Sequence, residues 1–364
     1  MKQLLFLLCA AAFLLCGCTP DDTVTCQSPK PLSMQTLAKP VAMLSRSDAQ
    51  TGIPAFPVSD APPERDTIIM NFVGDVMLAA ENGDDGFWSF NLFAYDTPPD
   101  YYFSQMQDIF AADDWTVANC ENVFTDRDAP EKREKDEAVG YWYYSGTENA
   151  QIFAQGSVEI VSLANNHALD YGYAGRDDTA AALEAVGVQC ITEGKSVILE
   201  KSGVRVGLLC ISMYSEYYLT PILDWLAENR DTCDFRIVYY HGGTERVHEP
   251  DAWRVRASRA MVDAGADLVL GNHPHVLQPT EVYNGAEIVY SLGNFLFGGS
   301  HTCENRTMVY TLTLDITDHA ITGVSSEMTP CYCYGELWQP APITDEAQRE
   351  TVLSFLRGER EVPY

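Results

Sequence analysis

Basic residues are scarce in this chain. Its 364 residues include 23 Lys and Arg against 52 Asp and Glu, which gives a formal net charge of −29 at pH 7. Proteins that bind nucleic acid present a basic surface to the phosphates, and no Lys- or Arg-rich stripe occurs here. The charge balance therefore excludes a nucleic-acid partner. It also disfavours any long polyanion, unless bound metal reverses the sign of the charge locally.

The sequence lacks several other features that define a class of protein. It contains no Cys-x-x-Cys motif, so a thiolate zinc site has no support. Of its 11 cysteines, 3 lie in the N-terminal segment up to Cys18, and the 8 that remain are too few for a disulfide scaffold. It has no internal repeat. Beyond the N-terminus no apolar run approaches the roughly 18 residues of a membrane-spanning helix. What remains is an ordinary globular composition, 46% hydrophobic, long enough for one large or two modest domains.

The N-terminus has the features of a secretory signal. Lys2 precedes a short apolar run that ends in Leu-Cys-Gly-Cys18, and this ending resembles a bacterial lipobox. Residues 1–17 are then a lipoprotein signal peptide, and Cys18 carries the lipid. Two or three acyl chains anchor a protein stably, so we expect an extracytoplasmic protein held by lipid at the bacterial cell membrane. The alternative is an ordinary secretory signal that happens to end near a cysteine.

Residues 18–65 are predicted to form the lipid anchor and a disordered, proline-rich tether. Between Thr19 and Arg65, 8 prolines are scattered among Ser, Thr, Gln and Asp, without apolar periodicity. Such a composition is typical of an extended segment that lifts a domain away from the bilayer. The globular domain is predicted over residues 66–330. Residues 331–364 form a C-terminal extension whose helix packs on the domain.

The pattern of the globular domain predicts an α/β sandwich. Apolar runs alternate with helical patterns, and a hairpin around Gly203 indicates mixed rather than purely parallel sheets. The predicted strands are Thr67–Val73, Trp115–Cys120, Val158–Leu163, Ser196–Glu200, Val204–Ser212, Phe235–Tyr240, Asp267–Leu270, Glu287–Leu292, Met308–Ile316 and Ala320–Glu327. The predicted helices are Tyr101–Ala112, Thr147–Gln155, Thr179–Val186, Pro221–Asn229, Asp251–Ala264 and Asp345–Leu356.

Potential metal ligands stand where predicted strands end. The five segments that follow strands are Gly74-Asp75, Asn119-Cys120-Glu121, Asn165-Asn166-His167, His241-Gly242-Gly243 and Asn272-His273-Pro274-His275. Because the carboxyl ends of strands line the crevice of an open α/β sheet, these side chains are expected to meet at one rim. Mixed carboxylate, amide and imidazole ligands suit Zn, Mn or Fe, and two such ions can activate water for hydrolysis.

Each of these residues alone is more often structural, since an Asp after Gly usually marks a turn and a lone His is usually a satisfied core or loop group. Their coincidence is the signal: 4 of the 7 histidines fall inside the five segments. In His273-Pro274-His275, strand alternation would let both rings approach one ion. Asn294 follows another apolar run and either lines the same site or occupies a turn. Asp170 and Tyr171 are expected to cap and pack the following helix.

Four motifs closely resemble the CapA family of capsule or poly-γ-glutamate biosynthesis proteins, which is built on the calcineurin-like metallophosphoesterase fold. The motifs are Gly74-Asp75-Val76-Met77-Leu78, the segment Ser162 to Gly172, the segment Gly265 to His275, and Tyr290-Ser291-Leu292-Gly293-Asn294-Phe295. The resemblance covers roughly residues 66–297. It implies a metallo-dependent phosphatase-like sandwich of two mixed β-sheets flanked by helices.

The resemblance also implies roles for individual residues. The implied ligands of a divalent metal, as two ions of Mn, Zn or Fe, are Asp75, Glu121, Asn166, His241, His273 and His275. His167 is the implied catalytic residue, which stabilises charge or donates a proton. Glu245 keeps an acidic residue that the family has there, and it is a further candidate for the pocket, as is Asn294.

The chain departs from the family pattern at three places. The superfamily's Asp-x-His is here Asp75-Val76-Met77, so one imidazole is missing. The family's Asn-Leu-Glu is here Asn119-Cys120-Glu121, an apolar exchange of little consequence. The family's His-Trp-Gly is here His241-Gly242-Gly243, which removes an aromatic wall beside His241 and leaves the shape of the substrate site open.

The resemblance implies a surface-anchored protein of capsule or poly-γ-glutamate biosynthesis or processing. One hypothesis is a metal-dependent hydrolase or transferase in which activated water attacks a phosphoester or a γ-glutamyl amide. The alternative is a non-catalytic component that binds or exports the polymer within a capsule synthase complex. The expected partners are the cell-surface polymer or its precursor and, through the lipid anchor, the membrane. A fold alone does not decide between the hypotheses.

Overall fold

The computed structural model describes residues 64–87, 89–136, 140–299 and 304–364. The predicted signal peptide, Cys18 and all but the last two residues of the predicted tether lie outside these ranges. Within them, no helix is both long enough and apolar enough to cross a membrane.

Strands and helices alternate along most of the described chain. In chain order the strands are β1 Arg65–Met77, β2 Ala80–Glu81, β3 Trp115–Cys120, β4 Val123–Phe124, β5 Tyr143–Ser145, β6 Ile160–Leu163, β7 Gln189–Thr192, β8 Lys195–Lys201, β9 Val204–Ser212, β10 Phe235–His241, β11 Leu268–Asn272, β12 Thr280–Tyr283, β13 Ala286–Val289, β14 Asn294–Phe297, β15 Thr307–Thr317, β16 Ala320–Glu336 and β17 Gln339–Pro342. The α-helices are α1 Phe90–Asp96, α2 Gln107–Phe110, α3 Gln151–Gln155, α4 Gly172–Ala185, α5 Leu219–Glu228, α6 Ala252–Asp263 and α7 Glu346–Leu356. Short 3-10 turns occur at Pro99–Tyr101, Ser104–Met106, Thr147–Ala150 and Glu216–Tyr218.

The strands form two large mixed sheets and one small sheet. The first large sheet has the order β17-β16-β15-β1-β3-β6-β7, with β14 also paired to β1. The second has the order β12-β13-β11-β10-β9-β8, and β2, β5 and β4 form the small sheet. Strands β1, β3, β6 and β7 run parallel, as do β9, β10, β11 and β13, whereas β15, β16 and β8 pair antiparallel with their neighbours. The predicted sandwich of mixed sheets is therefore confirmed.

One hydrophobic core lies between the two large sheets. Ile68, Met70 and Phe72 alternate along β1 and belong to the same buried cluster as Ile237 and Tyr239 of β10. The Phe72 and Tyr239 rings lie 6.2 Å apart, and the Tyr239 hydroxyl donates to the Val73 carbonyl at 2.7 Å. This alternation fixes the register of each strand, because a shift by one residue would turn its apolar side chains away from the core.

Helices cover the outer faces of both sheets. On the first sheet, Val73 and Val76 pack in a cluster that includes Phe90 of α1 and Phe110 of α2. On the second sheet the residues that alternate with the inner core pack in another cluster, composed of Val238 and Tyr240 of β10, Ile222 and Leu226 of α5, and Ala257 and Met261 of α6. The described layers therefore run helix, sheet, sheet, helix.

The register of the parallel strands brings their carboxyl ends together. Asp75 of β1 is level with both Asn119 of β3 and Asn294 of β14, and His241 of β10 is level with Asn272 of β11. Gly74 allows β1 to approach the backbone of Gly293 closely. A Cβ at residue 74 would lie 1.8 Å from the carbonyl oxygen of Gly293, to which the Asp75 amide donates at 3.0 Å.

The structure contains elements that the pattern did not predict, among them α1, β7, β12, β14 and β17, and it also departs from the predicted elements themselves. The predicted helix Tyr101–Ala112 is two 3-10 turns followed by the single turn α2, because neighbouring Tyr102 and Phe103 are both fully buried and a regular helix would separate them by about 100°. Helix α4 begins at Gly172 rather than at Thr179, since packing overrides the weak propensity of its glycines. The predicted boundary between residues 330 and 331 falls inside β16.

Candidate metal centre

Two buried carboxylates, Asp75 and Glu121, lie at the ends of β1 and β3. Asp75 is held from two sides: its Oδ1 accepts from Asn119 Nδ2 at 2.8 Å, and its Oδ2 accepts from the His273 backbone amide at 3.1 Å. Glu121 differs, because neither of its buried carboxylate oxygens has a hydrogen-bond partner among the described residues. A buried carboxylate is costly in this state unless a cation lies beside it.

Three histidines surround these carboxylates. His241 Nε2 lies 3.4 Å from Glu121 Oε1 and 3.0 Å from His273 Nδ1. His275 Nδ1 lies 3.3 Å from Asp75 Oδ2, and its Nε2 lies 3.8 Å from Glu121 Oε1. The structure thus brings together the histidines and carboxylates that the sequence placed at four separate strand ends.

His273 and His275 converge through the loop backbone and not through strand alternation, as the sequence had suggested. Strand β11 ends at Asn272, and both histidines have positive φ, 93° for His273 and 58° for His275. This region is sparsely populated for residues other than glycine. Backbone of this kind clusters at functional sites, because the rest of the structure must hold it in place.

Three overlapping groups of side chains have the geometry to hold a metal ion. They are Glu121 with His241 and His273, Asp75 with Glu121 and His275, and Glu245 with His273 and His275, and the ligand atoms within each group lie within 4.8 Å of one another. Glu121 belongs to two of these groups, as a bridging carboxylate would. Its two unpartnered oxygens fit the coordination of a divalent cation.

Asp75, Glu121 and the three histidines form one cluster. When no metal is bound, protons on the histidines balance the negative charge of the two carboxylates. Burial alone would lower the pKa of His241 and His275, but the negative Glu121 and Asp75 outweigh it and raise the pKa of His241 to about 9 and that of His275 to about 10. Burial and the positive charges of the other two rings lower the pKa of His273 to about 2. Burial would raise the pKa of Asp75, yet the hydrogen bonds from His241 and His275 hold it well below its ordinary value.

Asparagines from β3 and from the loop after β6 hold the ligands in place. Asn166 Oδ1 lies 2.7 Å from His241 Nε2, so the predicted ligand Asn166 is in the cluster. Asn119 donates to Asp75 and lies 3.1 Å from His241 Nδ1, while Asn165 Nδ2 donates to Asn119 Oδ1 at 3.0 Å. The sequence placed Asn119 and Asn165 in the segments expected at this rim but gave neither of them the role of a ligand. Their positions beside the predicted ligands Glu121 and Asn166 were the available signal.

His167 is paired with Asp170, which corrects the expectation that Asp170 caps a helix. His167 Nδ1 donates to Asp170 Oδ2 at 2.8 Å, and Asp170 also forms an ion pair with Lys135 and accepts from the Tyr143 amide at 2.8 Å. Helix α4 begins two residues later, and its N-cap, Tyr171, makes no side-chain capping bond. With Nδ1 engaged, His167 keeps Nε2 for a substrate.

Tyr214 supplies the aromatic neighbour that the sequence lacked at residue 242. A Cβ at Gly242 would lie 1.7 Å from the Met213 carbonyl oxygen, so this backbone cannot accommodate a larger residue there. The Tyr214 ring instead stands edge-on to His273, with centroids 5.5 Å apart, and to His241 at 6.5 Å. No motif pointed to Tyr214, which reaches the site because it follows the end of β9 by two residues.

A cavity of about 450 Å³ lies beside the cluster. His167, His275 and Asn294 line it, as does the exposed Glu245. Asn294 is buried and its Oδ1 lies 2.8 Å from His275 Nδ1, so of the two interpretations that the sequence left open the structure favours a site residue. Every predicted site residue except Cys18, which lies outside the described ranges, is therefore in or beside the cluster.

Carboxylates, amides and imidazoles thus converge from the strand ends of a two-sheet α/β sandwich. The chain belongs to the family of bacterial capsule synthesis proteins called PGA_cap, whose sequence model matches residues 69–299. This membership confirms the resemblance read from the four motifs.

The chain is similar to proteins from several bacteria. It is 28% identical over 318 residues to the PGA biosynthesis protein CapA of Bacillus subtilis, which covers 80% of this chain and 78% of that protein. It is 27% identical over 276 residues to the capsule biosynthesis protein CapA of Bacillus anthracis, covering 68% of this chain and 65% of that one. A solved structure, that of TT1561 of Thermus thermophilus, is 10% identical with a TM-score of 0.41 over 72% of this chain and 99% of that chain.

Proposed function

We propose that the protein is a metal-dependent hydrolase or transferase that processes a cell-surface polymer, of the capsule or poly-γ-glutamate type, or its precursor. The observation that carries the proposal is Glu121, whose buried carboxylate oxygens have no hydrogen-bond partner among the described residues and which belongs to two of the three potential metal-binding groups. Family membership and the relatives' names support a role in capsule polymer synthesis.

The ligand set divides the work among named residues. Asp75, Glu121, Asn166, His241, His273 and His275 would hold the metal, as Mn, Zn or Fe and as two ions. A bound divalent ion supplies Lewis-acid polarisation of a substrate oxygen and lowers the pKa of water. Asn119 orients Asp75 through a hydrogen bond of 2.8 Å, and Asn165 in turn orients Asn119 through a hydrogen bond of 3.0 Å.

His167 is the proton donor in this proposal. Asp170 accepts the Nδ1 proton of His167 and fixes the orientation of the ring, so Nε2 is the nitrogen that can serve a leaving group. Lys135 offsets the charge of Asp170, and the Tyr143 ring lies edge-on to His167 with centroids 4.9 Å apart. A histidine held in this way is placed to protonate a departing amine or alkoxide as the bond breaks.

The test is a hydrolysis screen of metal-supplemented protein that compares phosphoesters with γ-glutamyl amides. We expect turnover in one class and a loss of about 100-fold in His167→Ala, the typical contribution of a positioned acid. His319→Ala, an exposed histidine in the turn between β15 and β16, is the matched control and should leave turnover unchanged. A folded protein that binds no transition metal would contradict the proposal.

A second candidate function is a non-catalytic component that binds the polymer within a synthase complex. The observation that favours it is Met77, which stands where the superfamily has an imidazole and is fully buried in an apolar cluster with Phe297 and Cys333. One ligand is therefore absent from the superfamily set. Polymer binding without turnover in the same screen would support this second function.

The lipid anchor at Cys18 and the extracytoplasmic location are part of the proposal. Their support is the lipobox-like ending of the N-terminal apolar run. Cys18→Ala should release the protein from the membrane fraction, because two or three acyl chains make the anchor. Retention of that variant in washed membranes would contradict lipid anchoring.

A further inference from the structure

The cavity beside the cluster has a lining that metal binding does not explain. Arg246, Glu81 and the aromatic residues Tyr141 and Tyr143 contribute to it, and none of them belongs to the groups that could hold a metal. Its volume of about 450 Å³ falls within the range of small-molecule sites. The chemistry of these side chains therefore indicates which kind of molecule the cavity binds besides metal.

Asn294, which lines this cavity, carries a hydrogen-bond donor without a partner among the described residues. A histidine that binds metal through one ring nitrogen donates its other N–H, so the contact of His275 Nδ1 with Asn294 Oδ1 at 2.8 Å fixes which way the amide faces. The Nδ2 group then points away from His275. It is buried and has no hydrogen-bond partner among the described residues, although Asn294 is only 1% exposed. An unpartnered buried donor calls for an acceptor oxygen from a ligand.

Charges of both signs line the same cavity. Glu81 and Glu245 supply carboxylates and Arg246 supplies a guanidinium, whereas His248 and Glu304 pair with each other at 3.0 Å. The rings of Tyr141 and Tyr143 are stacked, with centroids 6.4 Å apart and an interplanar angle of 14°. Carboxylates beside aromatic faces favour an ammonium group, and a guanidinium favours a carboxylate.

We propose that this cavity binds the amino-terminal unit of a chain whose α-amino acids are joined through their side-chain acyl groups, as in a γ-glutamyl polymer. Only the first unit of such a chain carries both a free ammonium and a free α-carboxylate on one carbon. The ammonium lies among Glu81, Glu245 and the stacked tyrosines, and the α-carboxylate pairs with Arg246. The first γ-carbonyl oxygen accepts from Asn294 Nδ2. This inference rests on the proposed hydrolase function and specifies its substrate end.

The reaction at that end is a balanced hydrolysis. One water adds across the first amide bond: its hydroxyl joins the γ-carbonyl carbon, the carbon–nitrogen bond breaks, and the departing nitrogen takes up a proton. The products are one free glutamate and a chain one unit shorter. Its new amino terminus again carries an ammonium and an α-carboxylate, so the same cavity can accept it.

Binding without metal tests the cavity separately from catalysis. The probes are the dipeptide γ-glutamylglutamate and its N-acetyl derivative, titrated calorimetrically into the full-length protein in detergent and EDTA. Acetylation removes the ammonium, and we expect it to weaken binding at least about tenfold, the usual effect of losing a hydrogen bond to a charged group. Equal affinity for both dipeptides, or no binding of either to the folded protein, would overturn the inference.

Two variants assign the contacts. Arg246→Gln should weaken binding of the free dipeptide about tenfold. Arg205→Gln is the matched control, because Arg205 pairs with Asp234 at the opposite ends of the strands, and it should bind as the parent does. Asn294→Asp keeps the acceptor for His275 and replaces the donor with an acceptor, so it should retain metal and lose turnover of the dipeptide at least about tenfold. Unchanged turnover in this variant would remove Asn294 from the substrate contact.

The outcomes separate this inference from the proposed function. Phosphoester turnover by a metal-loaded protein that fails to distinguish the two dipeptides would sink the substrate-end assignment and leave the hydrolase standing. Tight binding of the free dipeptide by a protein that takes up no metal would support the substrate-end assignment and contradict the proposed hydrolase function.

Discussion

Carboxylates lie at both ends of the parallel strands, but their hydrogen bonding differs between the amino ends and the carboxyl ends. At the amino ends of the parallel strands a carboxylate accepts from a backbone amide of the neighbouring strand: Asp114 from Ile69, Glu159 from Thr116, Asp234 from Arg205 and Asp267 from Arg236, all at 2.8 to 2.9 Å. At the carboxyl ends, Glu121 is more deeply buried than these and accepts from none of the described residues.

The difference sets Glu121 apart from the acids that join neighbouring strands. A carboxylate that accepts a backbone amide, as Asp267 does while also pairing with Arg236, helps to hold adjacent strands together. Glu121 instead has the imidazoles of His241 and His275 beside it, at 3.4 and 3.8 Å. Residue type alone thus says little in so acidic a chain. The missing partner marks Glu121 as an acid that the fold leaves for a ligand. The converse does not hold, because Asp75 at the same edge accepts from Asn119 and from the His273 amide and still lies among the potential ligands.

The sharpest way to break this comparison is to neutralise one acid at each edge. Glu121→Gln should abolish stoichiometric metal binding, because it removes the carboxylate common to two of the ligand groups. Glu159→Gln, at the amino edge, should keep its metal since its oxygen can still accept from Thr116. Elemental analysis of both purified variants measures the outcome. Equal metal content in the two would show that the unpartnered oxygens of Glu121 do not mark a metal site.

A second prediction concerns pH. Metal must displace the protons that His241 and His275 carry below pKa values of about 9 and about 10. Since these values are raised, both rings are protonated at pH 7 in the metal-free protein, and affinity for metal falls as the pH is lowered. The expected change is about tenfold per pH unit for each proton displaced. Competition titrations with a chelator at pH 6, 7 and 8 measure it, and a pH-independent affinity would exclude these histidines as ligands.

The sequence predicted the carboxyl edge well and the amino edge not at all. Asp75, Glu121, Asn166, His241 and the His273–His275 pair could be found because each follows an apolar run, and a parallel sheet collects such ends. Strand order was not available from the pattern, so the pairing of Asp114 with Ile69 in a neighbouring strand could not be predicted. The same limit applies to Tyr214, which comes to the histidines only because β9 lies beside β10.

Two tyrosines in one segment sharpen the comparison at the carboxyl edge. Tyr214 packs edge-on against His273, whereas Tyr217 is 88% exposed. Tyr214→Ala should lower the affinity for metal about threefold, because the ligand rings lose a wall that fixes their orientation. Tyr217→Ala is the matched control and should change nothing. The measurement is the same chelator competition at fixed pH, and equal affinities in the two variants would show that Tyr214 is only a surface residue.

The smallest expected effect lies at the amino edge, where Asp113 is an exception among the structural acids. Burial and the neighbouring charge of Glu159 raise the pKa of Asp113 to about 7, although its Oδ2 accepts from Thr116 at 2.7 Å and from Asn71 Nδ2 at 2.8 Å. A raised carboxyl pKa means that the folded protein holds a proton which the unfolded chain has already lost. Stability therefore falls as the pH rises from about 4 to about 7, and the loss is complete above that range.

Asp113→Asn should remove this loss, because a single amide oxygen can keep both hydrogen bonds and no charge is buried. The melting temperature of the metal-free variant should exceed that of the parent by about 2–4 °C at pH 8 and match it at pH 4. Comparing the difference between the two proteins at each pH cancels the contribution of every other titrating group. An equal shift at both pH values would mean that packing, and not charge, distinguishes Asp113. The acids of the amino edge would then all be alike, and Glu121 would remain the exception in the comparison.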